Sequence, residues 1–117
     1  MLKIYMTCPV KNATEQEKVF LENYVVKLES KGYVVHYPAR DTAQTKDYRV
    51  FETNIAAIKN ADEIHVFWNG QSMGSCADVG KAFALGKPIR LINYNEVCNM
   101  PKTVFTDVLI KCHKGGM

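Results

Sequence analysis

Apolar positions in this chain repeat with two different periods. Short, nearly continuous apolar runs at residues 2–6, 33–37, 63–68 and 88–92 predict four buried strands. The stretches between and after them carry apolar residues at helical spacing. Thr14 followed by Glu17 is a capping-box signature. It opens a helix running to about Lys31, with Phe20, Leu21, Tyr24, Val25 and Leu28 on one face. Gly32 is the natural residue to close it. Pro38 ends the second strand, and residues 39–46 read as a polar loop. Asp47 is expected to cap a helix to about Asn60, with Val50, Phe51, Ile55 and Ile58 inward. Residues 69–74 read as a loop and 75–85 as a helix closed by Gly86. Pro101 predicts the start of a last helix, with Val104, Phe105, Val108, Leu109 and Cys112 at helical spacing.

Apolar strands joined through helices define an α/β chain with a parallel sheet covered on both faces. Right-handed crossovers restrict the topology further. The expected architecture is one domain over residues 1–117. It is a small, doubly wound, flavodoxin-like or Rossmann-like three-layer sandwich, with strand order 2-1-3-4 and a possible fifth element. Such sheets bind ligands at the carboxyl ends of the strands, here at the switch point between the first and third. That rule selects residues 7–14, 38–47, 69–78 and 93–96. The loops at the opposite edge, around Gly32, Ala61 and Gly86, are expected to be structural.

Composition narrows the class. A chain of 117 residues has room for one core, and 47% hydrophobic with 23% charged residues is a globular balance. No apolar run approaches the ~18 residues of a membrane span. Met1 to Met6 holds one lysine and no small-residue cleavage site, so it reads as a strand and not as a signal peptide, and a cytoplasmic protein is expected. The four cysteines form no CxxC pair, and no His/Cys cluster has zinc-ligand spacing. Free thiols and no metal site are expected. The net charge of +3 is spread without a basic run, which speaks against nucleic acid as a partner but suits a small anionic ligand.

The most informative stretch is residues 69–88, NGQSMGSCADVGKAFALGKP. Gly70 and Gly74 let the backbone turn tightly and approach a ligand. The amides of residues 75–77 are expected to point out of a helix start, toward an anion or a hydroxyl-rich group. Asp78 is expected to face the same opening from the first turn. Gly80, Ala82 and Ala84 leave a helix face small enough to pack closely on the sheet. Two readings of Asp78 stand side by side. It is a reactive carboxylate, or it is an ordinary capping acid three residues after Ser75, favoured by the helix dipole.

This segment resembles the nucleoside 2-deoxyribosyltransferase-like family, which includes nucleoside-monophosphate N-glycoside hydrolases. Gly74, Ser75, Asp78, Gly80, Ala82, Gly86, Lys87 and Pro88 match the family's Gly-small-x-x-Glu-x-Gly-x-Ala-x-x-x-Gly-Lys-Pro pattern. The start, KIYMTCPV, looks like the family's first strand, with Tyr5 on an active-site tyrosine of some members. NIAAIKNAD at residues 54–62 looks like the family helix that leads into the third strand. The resemblance implies cleavage or transfer at the N-glycosidic bond of a nucleoside or nucleotide, with Asp78 as nucleophile and Tyr5 its orienting partner. It implies no cofactor and a homodimer or higher homo-oligomer, buried partly through the helices at 47–60 and 75–85. Three positions depart from the pattern: Asp78 stands for a glutamate, and Asn54 and Ser72 stand for aspartates. Loss of those acids equally suits a nucleotide-binding or sensing protein on the same scaffold.

The residues expected to bind the ligand are Thr7, Cys8, Asn54, Trp68, Asn69, Gly70, Ser72, Gly74, Ser75 and Asn93. Trp68 ends the third strand, where its ring stacks on a base or packs in the core. Cys8 ends the first strand, where phosphocysteine and phosphatase loops place a nucleophile. A Cys-x5-Arg phosphatase loop needs arginine where Thr14 stands, so a phosphoryl carrier through Cys8 is the remaining form of that reading, against a small buried thiol. Lys11 and Arg40 lie at the ligand edge as phosphate partners or as surface charge. Asp41 and Asp47 flank a loop from which an acid could enter the site. His36 and His65, inside strands, read as histidines with satisfied nitrogens.

Overall fold

The computed structural model describes residues 2–115; Met1, the first residue of the stretch Met1 to Met6 read as a strand, and residues 116–117 lie outside the description. The strands are β1 (Lys3–Thr7), β2 (Val34–His36), β3 (Glu63–Val66) and β4 (Ile89–Leu91). They form one parallel sheet of order β2-β1-β3-β4, as the apolar runs predict. β1 is central. Ile4 and Met6 face a cluster with Leu21, Val25 and Leu28 of helix α1 (Glu15–Ser30). Tyr5 faces the opposite cluster, with Ile58, Val79 and Leu109. These last three come from α3 (Arg49–Asn60), α4 (Met73–Ala84) and α6 (Val104–His113). Alternation along a strand thus divides the core into two layers.

Local chemistry explains most boundaries. Thr14 and Glu17 form the expected capping box at 3.1 and 2.9 Å. Gly32 and Gly86 follow their helices with φ of 88° and 69°, the left-handed conformation that ends a helix. Lys87 explains the Gly-Lys-Pro motif structurally. Its ammonium donates to the carbonyls of Lys59 and Ala61, both at 2.8 Å, and so closes the end of α3.

Several expectations are corrected. The polar loop after Pro38 begins with a short helix, α2 (Pro38–Asp41), because proline is pre-set for a first helical turn. Asp47 does not cap α3, whose N-cap is Tyr48; its carboxylate accepts from the Arg49 amide at 3.0 Å and pairs with the Arg49 guanidinium at 2.6 Å. Phe51 and Phe20 are half exposed, not inward. α4 starts two residues before Ser75, because the Ser72 hydroxyl accepts from the Ser75 amide at 3.1 Å. α6 starts after Pro101, at a capping box between Thr103 and Thr106, which leaves Val104 exposed. The chain after β4 forms helices α5 (Tyr94–Cys98) and α6, so among the described residues the fifth element is helical. No helix of the described residues is long and apolar enough to cross a membrane.

The edge of β4 is covered by α6. The Leu91 amide donates to His113 Nδ1 at 2.8 Å, and the His113 ring stacks on Tyr94 at 4.6 Å. Desolvation, then the charge of Arg90, lowers the His113 pKa below its ordinary 6.5. The fold therefore binds that proton less readily than the unfolded chain does. Its contribution is complete above pH ~6.5 and declines as pH falls toward the lowered value. His113→Asn keeps an acceptor but does not titrate. Thermal melts at pH ~7.5 and ~5.5 should show a steeper acid loss in the parent than in the variant. Loss of the bond is worth on the order of 1 kcal/mol, a Tm change of about 4 °C; parallel losses would remove His113 as the cause.

Candidate active site

Alternation on β1 places Tyr5 and Thr7 on the same face of the sheet, two residues apart, both fully buried. Opposite them runs α4, whose buried face is set by Ser75, Val79 and Ala82. Asp78 shares that face by helical spacing and meets the strand. Tyr5 Oη donates to Asp78 Oδ2 at 2.9 Å, and Thr7 Oγ1 donates to the same oxygen at 3.0 Å. Among the described residues nothing donates to Oδ1. The one buried side-chain oxygen or nitrogen without a partner among the described residues is Ser75 Oγ, so Asp78 Oδ1 is open rather than sealed in.

Oδ1 opens on a cavity of about 380 Å³ at the carboxyl edge of β1, β2 and β3, within the ~300–1,000 Å³ of small-ligand sites. Its first wall is the loop after β1, from Cys8 to Asn12. A second is Pro38, Gln44 and Asp47, and a third is Val50, Phe51 and Asn54 of α3. The start of α4, from Ser72 to Ser75 with Ala77 and Asp78, closes the fourth side. Three of the four segments selected by the switch-point rule contribute, and residues 93–96 do not.

The start of α4 decides between the two readings of Asp78. With Ser72 as N-cap, Asp78 lies in the second turn, and no acid sits in the first. Asp78 bonds to β1 and not to its own helix amides, so it is not a capping acid. The expected row of free amides also shrinks. The Ser75 amide is taken by Ser72 Oγ and the Cys76 amide by the Ser72 carbonyl at 3.2 Å.

Electrostatics make the carboxylate distinct. Burial raises the Asp78 pKa above the ordinary 3.8, while the bonds from Tyr5 and Thr7 act in the opposite direction. Burial, then the Asp78 charge, raises Tyr5, so its phenol stays a donor. The same two causes push the Cys8 thiol up to about 12. A phosphoryl acceptor needs a thiolate, and this thiol is held protonated. Asp47, the other cavity acid, is held at about 2 by Arg49.

The remaining expected residues divide clearly. Cys8, Asn54, Ser72, Gly74, Ser75 and Lys11 line the cavity; Trp68, Asn69, Gly70 and Asn93 do not. Asn93 bridges strand ends, accepting from the Trp68 amide at 3.1 Å and donating to its carbonyl at 2.7 Å. Asn69 Oδ1 accepts from the amides of Gln71 and Ser72, and Gly70 supplies a φ of 88° to the same turn. Trp68 packs edge-on against Phe105 at 4.8 Å. Arg40 is bound by Glu29 and Asp41 and lies away from the cavity. His65 takes the Tyr24 hydroxyl at 2.6 Å and faces Glu63 at 3.0 Å, which satisfies both nitrogens. Asn12, Gln44, Val50, Phe51, Met73 and Ala77 also line the cavity and carry no motif. Gln44 lies in a segment the switch-point rule selects, and that position is its one sequence signal.

A family model described as nucleoside 2-deoxyribosyltransferase matches residues 4–105. No curated protein matches the chain. Among solved structures, a CMP N-glycosidase of Clostridium botulinum is 27% identical with a TM-score of 0.58, over 76% of this chain and 66% of that one. A 2-desoxiribosyltransferase from Leishmania mexicana is 22% identical with a TM-score of 0.64, over 78% and 63%. A 2-deoxyribosyltransferase from Bacillus psychrosaccharolyticus is 22% identical with a TM-score of 0.64, over 92% and 90%. The match spans just under two thirds of the length of the first two. At that identity the latter two bear on the fold alone. The family model takes in β1, the cavity walls and the Gly-Lys-Pro motif together, and the chain belongs to the nucleoside 2-deoxyribosyltransferase family.

Proposed function

We propose that this protein cleaves or transfers at the N-glycosidic bond of a nucleoside or nucleotide, with Asp78 as the nucleophile. The supporting observation is the asymmetry of its carboxylate. Oδ2 is anchored by two donors from β1, and Oδ1 is free at the cavity. Oδ1 attacks the anomeric carbon, the carbon–nitrogen bond breaks, and the base leaves with the electron pair. Water or a second base then displaces the glycosyl ester. The developing positive charge on the sugar lies against a carboxylate kept in place by Tyr5 and Thr7. The step as written uses no metal or organic cofactor. The Ser72 hydroxyl supplies a polar contact to the sugar or its phosphate. Lys11 adds a positive charge at the wall.

A second reading has its own observation. Asn54 and Ser72 carry no acid, and Asp47 is committed to Arg49, so the cavity offers no second carboxyl free to protonate a leaving base. A nucleotide-binding protein without turnover fits the same pocket.

Asp78→Asn separates the two. The chain is incubated with a panel of nucleosides and monophosphates, and free base is followed by chromatography. The parent should release base, and the variant should lose the rate by on the order of 10³-fold or more while keeping its affinity. Binding by the parent without any base release would leave the binding reading.

Tyr5→Phe tests the anchor. Removing a bond that lowers the Asp78 pKa should move the acid limb of kcat/KM to higher pH, because Asp78 must be ionised to attack. Misplacement of the carboxylate should also lower kcat by about 10²-fold. An unmoved acid limb would count against Asp78 as the titrating group.

A homodimer is part of the same proposal. Tyr48, Phe51, Met73 and Phe83 leave large apolar surface on the paired helices α3 and α4. Light scattering at micromolar concentration should give at least twice the chain mass of 13.2 kDa; a monomer would remove this part.

A further inference from the structure

The Asn54 amide has a definite sense in the cavity. The Thr42 hydroxyl, buried behind α3, lies 2.8 Å from His36 Nε2 and donates to Asn54 Oδ1 at 2.7 Å. A hydroxyl has one proton to give. Spending it on Asn54 leaves Thr42 Oγ1 an acceptor toward His36, so His36 carries its proton on Nε2. The His36 ring is held in place by stacking on Tyr5, at 5.4 Å and 13° between planes. With Oδ1 engaged, both hydrogens of Asn54 Nδ2 remain, and the described residues supply no acceptor for them. Asn54 lines the cavity, so these donors serve whatever the cavity holds.

The wall that carries them suits a base better than a sugar. Val50, Phe51 and Asn54 lie on one face of α3, giving an apolar surface that ends in a single amide. That matches a flat heteroaromatic ring with one polar edge. The hydroxyl and ammonium of the other walls, at Ser72 and Lys11, match a sugar and its phosphate.

Building on the nucleoside reading above, we propose that Asn54 is a specificity-determining residue that donates to an exocyclic carbonyl of the base, and that His36 and Thr42 set the sense of that donation. The substrate class is then nucleosides or nucleotides of keto bases, such as uracil, thymine and hypoxanthine. A base with an amino group at the same position meets donor with donor and leaves both unpaired.

Isosteric pairs test this directly. Dissociation constants for uridine against cytidine, and inosine against adenosine, with their monophosphates, are measured by calorimetry, and base release is followed on the same samples. The parent should bind the keto member about 10- to 100-fold more tightly. Asn54→Asp presents an acceptor in place of the donor and should reverse the preference. Thr42→Val and His36→Phe should narrow the ratio, the second while keeping a ring against Tyr5. Circular dichroism establishes that each variant is folded, and the ratio within one folded variant is the readout.

Equal binding of the pair members by the parent overturns the role of Asn54 and leaves the nucleoside reading standing. A parental preference for the amino member overturns the assigned sense, because the amide would then show its oxygen. No reversal in folded Asn54→Asp overturns the contact. Failure of every nucleoside and nucleotide to bind overturns the nucleoside reading and this proposal with it.

Discussion

Strand β1 is paired along both edges and packed against helices on both faces, so its alternation has consequences on both. Ile4 and Met6 anchor α1 on one side. Tyr5 and Thr7 turn to the other, where a wholly apolar pair would simply have extended the core. Their two hydroxyls instead meet one carboxylate oxygen of α4. A one-residue slip of β1 would turn Ile4 and Met6 toward Asp78 and leave a buried charge without donors. The register of the central strand and the chemistry of the cavity are therefore a single constraint.

The rest of the site follows from keeping one carboxylate among neutral groups. Burial opposes its charge, and two hydrogen bonds from fully buried donors offset part of that cost. Burial, and then the same charge, keep its neighbours protonated: the Tyr5 phenol remains a donor and the Cys8 thiol remains a thiol. The groups around Asp78 therefore hold it without competing with it as nucleophiles. The other ionised cavity acid, Asp47, is tied to Arg49. The second layer behind the cavity is also connected. His36 lies flat on Tyr5 and bonds to Thr42, which bonds to Asn54, so the rings and amides around the opening form one linked set.

Boundaries were the least legible feature of the chain, and the reason is specific. Ser72 and Ser75 are both competent caps, three residues apart, and either would open a helix into the same apolar pattern. In the folded chain Ser72 is the cap, and Ser75, Val79 and Ala82 are buried with Asp78 beside them. That choice moved Asp78 out of the first turn and removed its capping role. Asn93, Asn69 and Trp68 sit at the correct edge of the sheet and still miss the cavity. Their polar atoms are used to join strand ends or shape a turn, which no spacing rule reveals.

The sequence by itself determined the strand order, the two-layer core and the edge at which the cavity lies. Each follows from hydrophobic period and crossover handedness, which are local or nearly local properties. It also singled out Tyr5, Thr7 and Asp78, through a family pattern and the switch-point rule. The family pattern implied that Tyr5 orients Asp78, but not that Thr7 shares the same oxygen, which oxygen of Asp78 is free, or which way the Asn54 amide faces. Those depend on contacts between residues more than seventy positions apart for Asp78, and on a proton shared among three side chains from different elements for Asn54. Such relations exist only once the sheet brings the elements to hydrogen-bonding distance.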